Sequence, residues 1–227
     1  MCGRFVQSSP GEVVAKRFGL RAVPPLQPRF NVAPTQPAAV IREVDGDRRA
    51  DLLRFGLVPG WATDPRVGAR MINARAERIA SAPAFRAAFQ RRRCLVPVDG
   101  FYEWRAVGRS KQPWLVRREG GGLLALAGVW ERFEPAEGEP IESFAIVTTE
   151  ASESLRELHD RMPAVIEAPD EARWLDPAND DRDGLRALLR PSAATLERFP
   201  VSRAVNDARH DDPSLVEPAA ADDEEVP

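Results

Sequence analysis

One residue able to do covalent chemistry stands at the start of this chain. The sequence begins MCGRF, and the small side chain of Cys2 permits removal of the initiator Met. After that removal Cys2 would carry a thiol and an α-amine on adjacent carbons, two nucleophiles on one residue. The alternative is that a residue so close to the start is arbitrary and frayed.

His159 is the better candidate of the two histidines for acid–base chemistry. It follows the helical pattern SESLRELH and precedes the strand-like AVIE, so it lies in a polar turn that rigid elements can aim. His210 stands beside acidic residues, which leaves His159 to titrate near neutral pH. A capping or surface histidine is the alternative.

Glu103 lies between aromatic residues in the strand-like run FYEWR. Alternation places it on one face with Phe101 and Arg105, next to Trp104 on the other. A carboxylate among rings loses water, so its pKa should rise toward a value useful for proton transfer. The alternative is an ordinary strand-edge glutamate paired with Arg105 or Arg75.

Asn73 opens INARAE, where it is placed to cap a following helix. The same position puts its amide, with Arg75 two residues on, at a helix N-terminus that would accept an anion.

Short elements separated by prolines must position these residues. GEVVAKRFGL predicts a short helix that ends at Gly19, and PAAVIREVDGDRRADLLRFGLVP predicts a hairpin that turns at 45–47. NARAERIASAPAFRAAFQRRR predicts helix on both sides of a bend at Pro83.

Five runs of branched and aromatic residues predict strands: RCLVPV, FYEWR, PWLVRRE, LLALAGVWERF and SFAIVTT. They follow one another too closely for helical crossovers. We therefore expect an α+β fold with a mostly antiparallel sheet, curled toward a barrel, and helices outside it.

The chain has 227 residues, 43% of them hydrophobic, which suits one domain. It lacks a run of eighteen apolar residues and an apolar segment near the start, so we expect a cytoplasmic protein. The two cysteines form no C-x-x-C pair and no cluster with histidine, so neither a metal site nor a cofactor is predicted. Cys94 lies in the apolar run CLVPV and is expected to be buried; a Cys2–Cys94 disulfide is the alternative, disfavoured in a reducing cytoplasm.

Charge is unevenly distributed along the sequence. Residues 211–227 hold seven acidic residues and no Lys or Arg, which predicts a disordered acidic tail after a domain at 1–210. Residues 42–93 hold twelve Arg and six acidic residues, a pattern that suits a polyanion. Thirty of the 32 basic residues are Arg, which GC-rich coding also explains.

Six motifs together resemble the SRAP (SOS response associated peptidase) family, whose members are also described as abasic-site processing proteins. They are MCGRF, PRFNVAPTQ, FGLVPGW, NARAE, RCLVPVDGFYEW and HDRMP, in family order and at about the family spacing. The resemblance spans about residues 1–206.

The resemblance implies that Cys2, freed by self-processing of Met1, reacts with the ring-opened aldehyde of an abasic site in single-stranded DNA. The amine forms a Schiff base and the thiol closes on it to give a thiazolidine, which shields the lesion. The unperturbed pKa of an α-amine is about 8 and that of a thiol about 8.5. A modest local field would therefore make either group nucleophilic at neutral pH. A lyase activity and association with the nucleoid are further implications.

Roles carry over to matching positions. His159 resembles the general acid/base that opens the sugar, Glu103 the group that orients and deprotonates the Cys2 amine, and Asn73 the amide that holds the sugar and the terminal residue.

The resemblance also suggests residues for DNA binding. Arg75 and Arg161 would bind flanking phosphates bidentately, with Arg4 a further phosphate candidate. Trp61 and Trp104 would stack on bases, although a large ring in an apolar motif is usually part of the core.

The chain departs from the family pattern at Phe55, where Trp is common, and at Arg78, where Thr is common. Phe55 should keep the packing, and Arg78 adds charge near the proposed phosphate track. Two alternative functions stay open: an N-terminal-nucleophile cysteine hydrolase in which Cys2 attacks amides with His159 as base, and a passive single-strand binding module.

Overall fold

The computed structural model describes residues 2–220, which form two β-sheets with short helices around them. The strands are β1 (Phe5–Gln7), β2 (Arg29–Val32), β3 (Pro37–Val44), β4 (Asp47–Phe55), β5 (Asn73–Arg75), β6 (Arg93–Val98), β7 (Gly100–Val107), β8 (Ser110–Arg118), β9 (Leu124–Phe133), β10 (Ile141–Glu150), β11 (Arg161–Pro163) and β12 (Leu196–Pro200). The helices are α1 (Gly11–Phe18), α2 (Arg86–Arg91), α3 (Glu171–Leu175) and α4 (Arg182–Ala187), with 3₁₀ helices at Pro65–Arg70, Ala168–Asp170, Arg203–Asn206 and Pro213–Val216. None of the helices in this part of the chain is long and apolar enough to cross a membrane.

One sheet closes on itself. Its order is β10-β4-β3-β6-β9, and β9 pairs back onto β10, so five strands form a small barrel. Strands β5 and β11 extend β10 on its two edges. The other sheet, β12-β8-β7-β1-β2, is antiparallel throughout. The predicted α+β class with a mostly antiparallel, barrel-like core is confirmed; the pairs β10–β4 and β10–β5 are parallel.

The barrel strands are buried on both faces because side chains alternate between two apolar clusters. One face packs under the helices, where Phe18, Phe89 and Trp174 are almost fully buried. Trp174 also donates its indole N–H to the Cys94 carbonyl at 2.8 Å. Burial of an aromatic side chain of this size stabilises the fold by about 2–3 kcal/mol. The helices thus lie outside the barrel, as predicted.

The opposite face of the barrel packs against the five-stranded sheet. Phe55 stacks on Phe144 with ring centroids 5.2 Å apart and meets Phe5 edge to face at the same distance. These ring contacts agree with the expectation that Phe55 packs in the core. Cys2 and Cys94 belong to the same cluster; both are buried free thiols, so the disulfide alternative is wrong.

Turn chemistry explains the predicted hairpin and helix end. Asp45 and Gly46 both have positive φ, at 54° and 82°, which is the type I′ geometry that joins twisted antiparallel strands. Strands β3 and β4 pair along their whole length on either side of this turn. Helix α1 ends at Gly19, whose φ of 66° is the left-handed conformation typical of a helix C-terminus.

The prediction of helix on both sides of Pro83 is wrong for its first half. Asn73–Arg75 is strand β5, paired in parallel with residues 146–148 of β10, and turns follow it. Hydrogen bonding to a strand distant in sequence outweighs the helix propensity of the Ala- and Arg-rich segment. Asn73 is therefore not a helix cap, and no helix begins there to bind an anion.

The prediction of a disordered tail from residue 211 is wrong for residues 211–220. The Asp211 carboxylate accepts hydrogen bonds from the backbone N–H groups of Phe30 and Asn31 and forms an ion pair with Arg29. Leu215 is fully buried against the outer face of the five-stranded sheet. That apolar face needs a cover, which the composition of the tail does not reveal; residues 221–227 lie outside the described residues.

Candidate active site

The site forms where the start of the chain meets β5. The Asn73 side-chain amide donates from Nδ2 to the Cys2 carbonyl at 2.9 Å and to the Ile72 carbonyl at 3.0 Å. Pairing of Asn73 with Ile146 of β10 fixes the backbone from which the amide projects. Among the described residues, none donates a hydrogen bond to the buried Asn73 Oδ1. The amide nitrogen therefore binds the Cys2 carbonyl, and the amide oxygen can accept a hydrogen bond from a ligand.

The Cys2 side chain is fully buried. Burial raises the pKa of its thiol far above the usual value, and the nearby Glu103 carboxylate raises it further. Both influences act against the expectation that a modest local field makes this thiol nucleophilic at neutral pH.

Glu103 lies in β7 and is only 3% exposed. Burial raises the pKa of its carboxyl, while the positive charge that His159 can carry opposes the rise. The direction agrees with the sequence prediction. An ordinary strand-edge position, the alternative for Glu103, does not describe a side chain so deeply buried.

His159 ends the turn after Leu155 and is 30% exposed. Its Nδ1 accepts the backbone N–H of Arg161 at 2.9 Å, which requires an unprotonated Nδ1 and places the proton of the neutral ring on Nε2. Nδ1 also lies 2.8 Å from the exposed Asp160 Oδ1, and this contact becomes a hydrogen bond only when Nδ1 carries a proton. Both protonation states of the ring therefore have a partner, as an acid–base group requires.

Glu103 and His159 line one cleft of about 570 Å³, a volume typical of small-ligand sites. Sequence reasoning missed part of its wall: Ser110, Lys111, Arg203 and Asn206. The register of the β7–β8 hairpin places Lys111 of β8 opposite Ala106 of β7, the strand that also carries Glu103. A hairpin prediction for β7 and β8 could have found Lys111, whereas Arg203 is brought in from the far end of the chain.

The two tryptophans lie in different environments. Trp104 lines the cleft, half-buried, and donates its indole N–H to Asn206 Oδ1 at 2.8 Å. Trp61 is 64% exposed in the segment between β4 and β5, so the core alternative is wrong for Trp61.

The arginines of the site divide into occupied and exposed side chains. Arg4 donates to Asn31 Oδ1 at 2.9 Å and to the Val205 carbonyl at 2.8 Å, so it links β1 to the C-terminal segment instead of extending to solvent. Arg75 and Arg78 are exposed.

Arg161 is also occupied. It forms a bidentate pair with Glu77 and donates to the Thr148 carbonyl at 2.6 Å. A bidentate phosphate contact from Arg161 therefore requires Glu77 to move away.

The predicted residues thus fall into two groups. The structure brings Cys2, Asn73, Glu103 and His159 together: the Asn73 amide binds the Cys2 carbonyl, the Glu103 charge acts on the Cys2 thiol, and Glu103 and His159 share the cleft. Of the residues predicted for DNA binding, only Trp104 lines that cleft. Within residues 2–220 there is no cluster of three or more His, Cys, Asp or Glu able to hold a metal ion.

Known proteins resemble this chain along almost its whole length. A family model described as SOS response associated peptidase (SRAP) matches residues 1–208. The chain is 37% identical over 222 residues to the abasic site processing protein YoqW of Bacillus subtilis, covering 96% of this chain and 99% of that protein. It is 32% identical over 231 residues to the abasic site processing protein YedK of Escherichia coli, covering 96% and 100%. A crystal structure of a protein from Bacteroides thetaiotaomicron superposes with a TM-score of 0.84 at 26% identity, covering 96% and 100%. The chain therefore belongs to the SRAP family.

Proposed function

We propose that this protein processes abasic sites in single-stranded DNA by forming a covalent crosslink through Cys2, once Met1 has been removed. The observation that carries the proposal is the convergence of four residues, Cys2, Asn73, Glu103 and His159. The Glu103 carboxyl and the His159 imidazole line one polar cleft. The relatives named as abasic site processing proteins support it. We further propose that the protein acts at the nucleoid in the cytoplasm, where its proposed DNA substrate lies.

The reaction begins with the sugar and the amine. His159 promotes opening of the deoxyribose to its aldehyde, and the Cys2 α-amine, deprotonated by Glu103, attacks the aldehyde carbon. A C–N bond forms, and Nε2–H of His159 donates a hydrogen bond to the oxygen. The oxygen takes up the two protons that the amine gives up, one of them returned by Glu103, and leaves as water, which gives a Schiff base. General acid–base catalysis of this kind contributes about 10²–10⁴-fold in rate.

The thiol completes the ring. Its sulfur bonds to the imine carbon while its proton passes to the imine nitrogen, so the net products are a thiazolidine and water and no oxidant is needed. The raised pKa of the Cys2 thiol suits this order, because the sulfur brings the proton that the nitrogen needs. Asn73 holds the Cys2 carbonyl during both steps, which supplies the proximity that intramolecular reactions gain.

DNA binding in this proposal uses the half-buried Trp104 and exposed side chains around the cleft. Trp104 stacks on a base beside the cleft and Trp61 stacks on one farther along the strand. Arg75 binds phosphate on the β5 side, and Lys111 and Arg203 bind it on the β7–β8 side.

Peptidase activity, the subject of the family name, we assign to removal of Met1. A Schiff base also permits β-elimination, and we propose this lyase reaction as a side activity, measured as strand cleavage in the crosslinking assay.

Intact-mass spectrometry with and without single-stranded DNA that carries one abasic site tests the proposal. The expected result is a protein lacking Met1 that gains the mass of the DNA minus one water and survives denaturation. Cys2→Ala should abolish this stable adduct, while Cys94→Ala, the matched change at the other buried thiol, should retain it.

Three outcomes would contradict the crosslinking function. An undiminished adduct in Cys2→Ala would show that another residue reacts. Turnover of amide substrates without retention of DNA would favour the cysteine hydrolase. Binding of DNA that is unchanged by a blocked N-terminus, with no adduct in either protein, would favour the passive module.

A further inference from the structure

Glu77, which has no role in the steps above, braces Arg161. Its carboxylate accepts from Arg161 Nη1 at 2.7 Å and from Nη2 at 3.0 Å, although Glu77 itself is 49% exposed. Glu77 follows β5, Arg161 begins β11, and Thr148 of β10 pairs with both strands. The ion pair thus spans the end of β10 and connects the two strands that flank it.

Arg161 in turn contacts the acid–base residue. Its guanidinium is fixed by Glu77 and by the Thr148 carbonyl, and only 12% of its side chain is exposed. Its backbone N–H donates to His159 Nδ1 at 2.9 Å. Arg161 therefore connects Glu77 to the imidazole ring: its guanidinium binds Glu77, and its backbone N–H binds His159.

We propose that Glu77 is a positioning residue: by fixing Arg161 it keeps the neutral His159 ring in the tautomer that carries its proton on Nε2. The kinetic consequence rests on the proposed function, whereas the tautomer is a property of the free protein.

Two neighbours of Nδ1 impose opposite preferences on the ring. The Arg161 N–H needs a lone pair on Nδ1, and the Asp160 carboxylate, 2.8 Å away, needs a proton there. When Glu77 is removed, Arg161 loses two of its hydrogen bonds and is then held by the Thr148 carbonyl and by the pairing of β11 with β10. Asp160 then competes successfully for Nδ1. The proton moves from Nε2 to Nδ1, where it forms a hydrogen bond with the Asp160 carboxylate.

Nitrogen-15 NMR of the free protein tests this directly, because the chain has only two histidines. His210→Asn assigns the spectrum, and the nitrogen shifts of neutral His159 report which nitrogen carries the proton. We expect the Nε2–H form in the wild type and a shift toward Nδ1–H in Glu77→Ala. Glu134→Ala, which removes an exposed glutamate paired with Arg132 at 2.5 Å, is the matched control and should leave the tautomer unchanged.

Crosslinking rates provide the second measurement. Glu77→Ala should slow adduct formation roughly tenfold at unchanged melting temperature, because Nε2 then lacks the hydrogen that it donates in a hydrogen bond to the departing oxygen. Adding Asp160→Ala should restore much of the rate by removing the competing acceptor.

Two results would overturn the proposal. One is a Glu77→Ala protein that keeps the Nε2–H tautomer. The other is faster crosslinking in Glu77→Ala, which would show that Glu77 competes with phosphate for Arg161. If the tautomer shifts but neither protein crosslinks DNA, the positioning role stands and the proposed function is wrong.

Discussion

Replacement of Asn73 by Ala tests how far one side-chain amide positions the nucleophile. The change removes the bonds from Nδ2 to the carbonyls of Cys2 and Ile72, at 2.9 and 3.0 Å. Each such bond contributes about 0.5–1.5 kcal/mol net. Loss of about 1 kcal/mol at Cys2 lowers the population of the positioned residue about fivefold. Loss of Oδ1, which we propose accepts a sugar hydroxyl, adds a comparable factor, so crosslinking should slow about five- to thirtyfold.

The assay is the single-turnover rate of denaturation-resistant adduct with protein in excess. Asn73→Asp should be slower than Asn73→Ala, because a carboxylate oxygen would then face the Cys2 carbonyl oxygen. Asn179→Ala serves as control, since it removes a comparable bond from Nδ2 to the Arg173 carbonyl at 3.1 Å outside the site. Rates within twofold of the wild type for both Asn73 variants, with Met1 removed, would refute the positioning argument.

Three further predictions concern charge and packing. The raised pKa of Glu103 means that the folded state binds its proton more tightly than the unfolded state, so wild-type stability falls as pH rises from about 4.5 through the folded pKa. Glu103→Gln should therefore be more stable than wild type at pH 8 but not at pH 4, in urea unfolding; equal stability at both pH values would contradict the burial argument. Lys111→Glu combined with Arg203→Glu should weaken DNA binding and lower the salt slope by about 1 per lost phosphate contact in fluorescence anisotropy, whereas Arg21→Glu, outside the cleft, should leave that slope unchanged. Leu215→Ala should cost about 2–4 kcal/mol and lower the melting temperature, and an unchanged melting curve would mean that residues 213–216 add little to the fold.

The strands and the burial of Glu103 could be predicted because their signals are local. Branched and aromatic runs mark β6 to β10, and an Asp-Gly pair specifies the hairpin turn between β3 and β4. The aromatic neighbours of Glu103 indicated the burial that raises its pKa.

The features that were missed depend on distant partners. Asn73–Arg75 is a strand only because β10, some seventy residues later, offers it an edge. The bidentate pair of Arg161 joins residues 84 positions apart, so the sequence could not show that this guanidinium is occupied. Leu215 packs on a sheet face whose need for a cover is visible only after the strands have assembled. Composition described the charge of residues 211–220 correctly and missed their packing.

The link between Arg4 and the Val205 carbonyl, 201 positions apart, has a consequence for the order of synthesis. The ribosome releases Cys2 first, and Arg203 and Asn206, which complete the cleft wall, almost last. A nascent chain therefore carries the proposed nucleophile for most of translation before the cleft that we propose directs it exists. A chain cut short before residue 203 would retain the nucleophile and lack one side of the wall, and so lose the means of selecting what reacts with it.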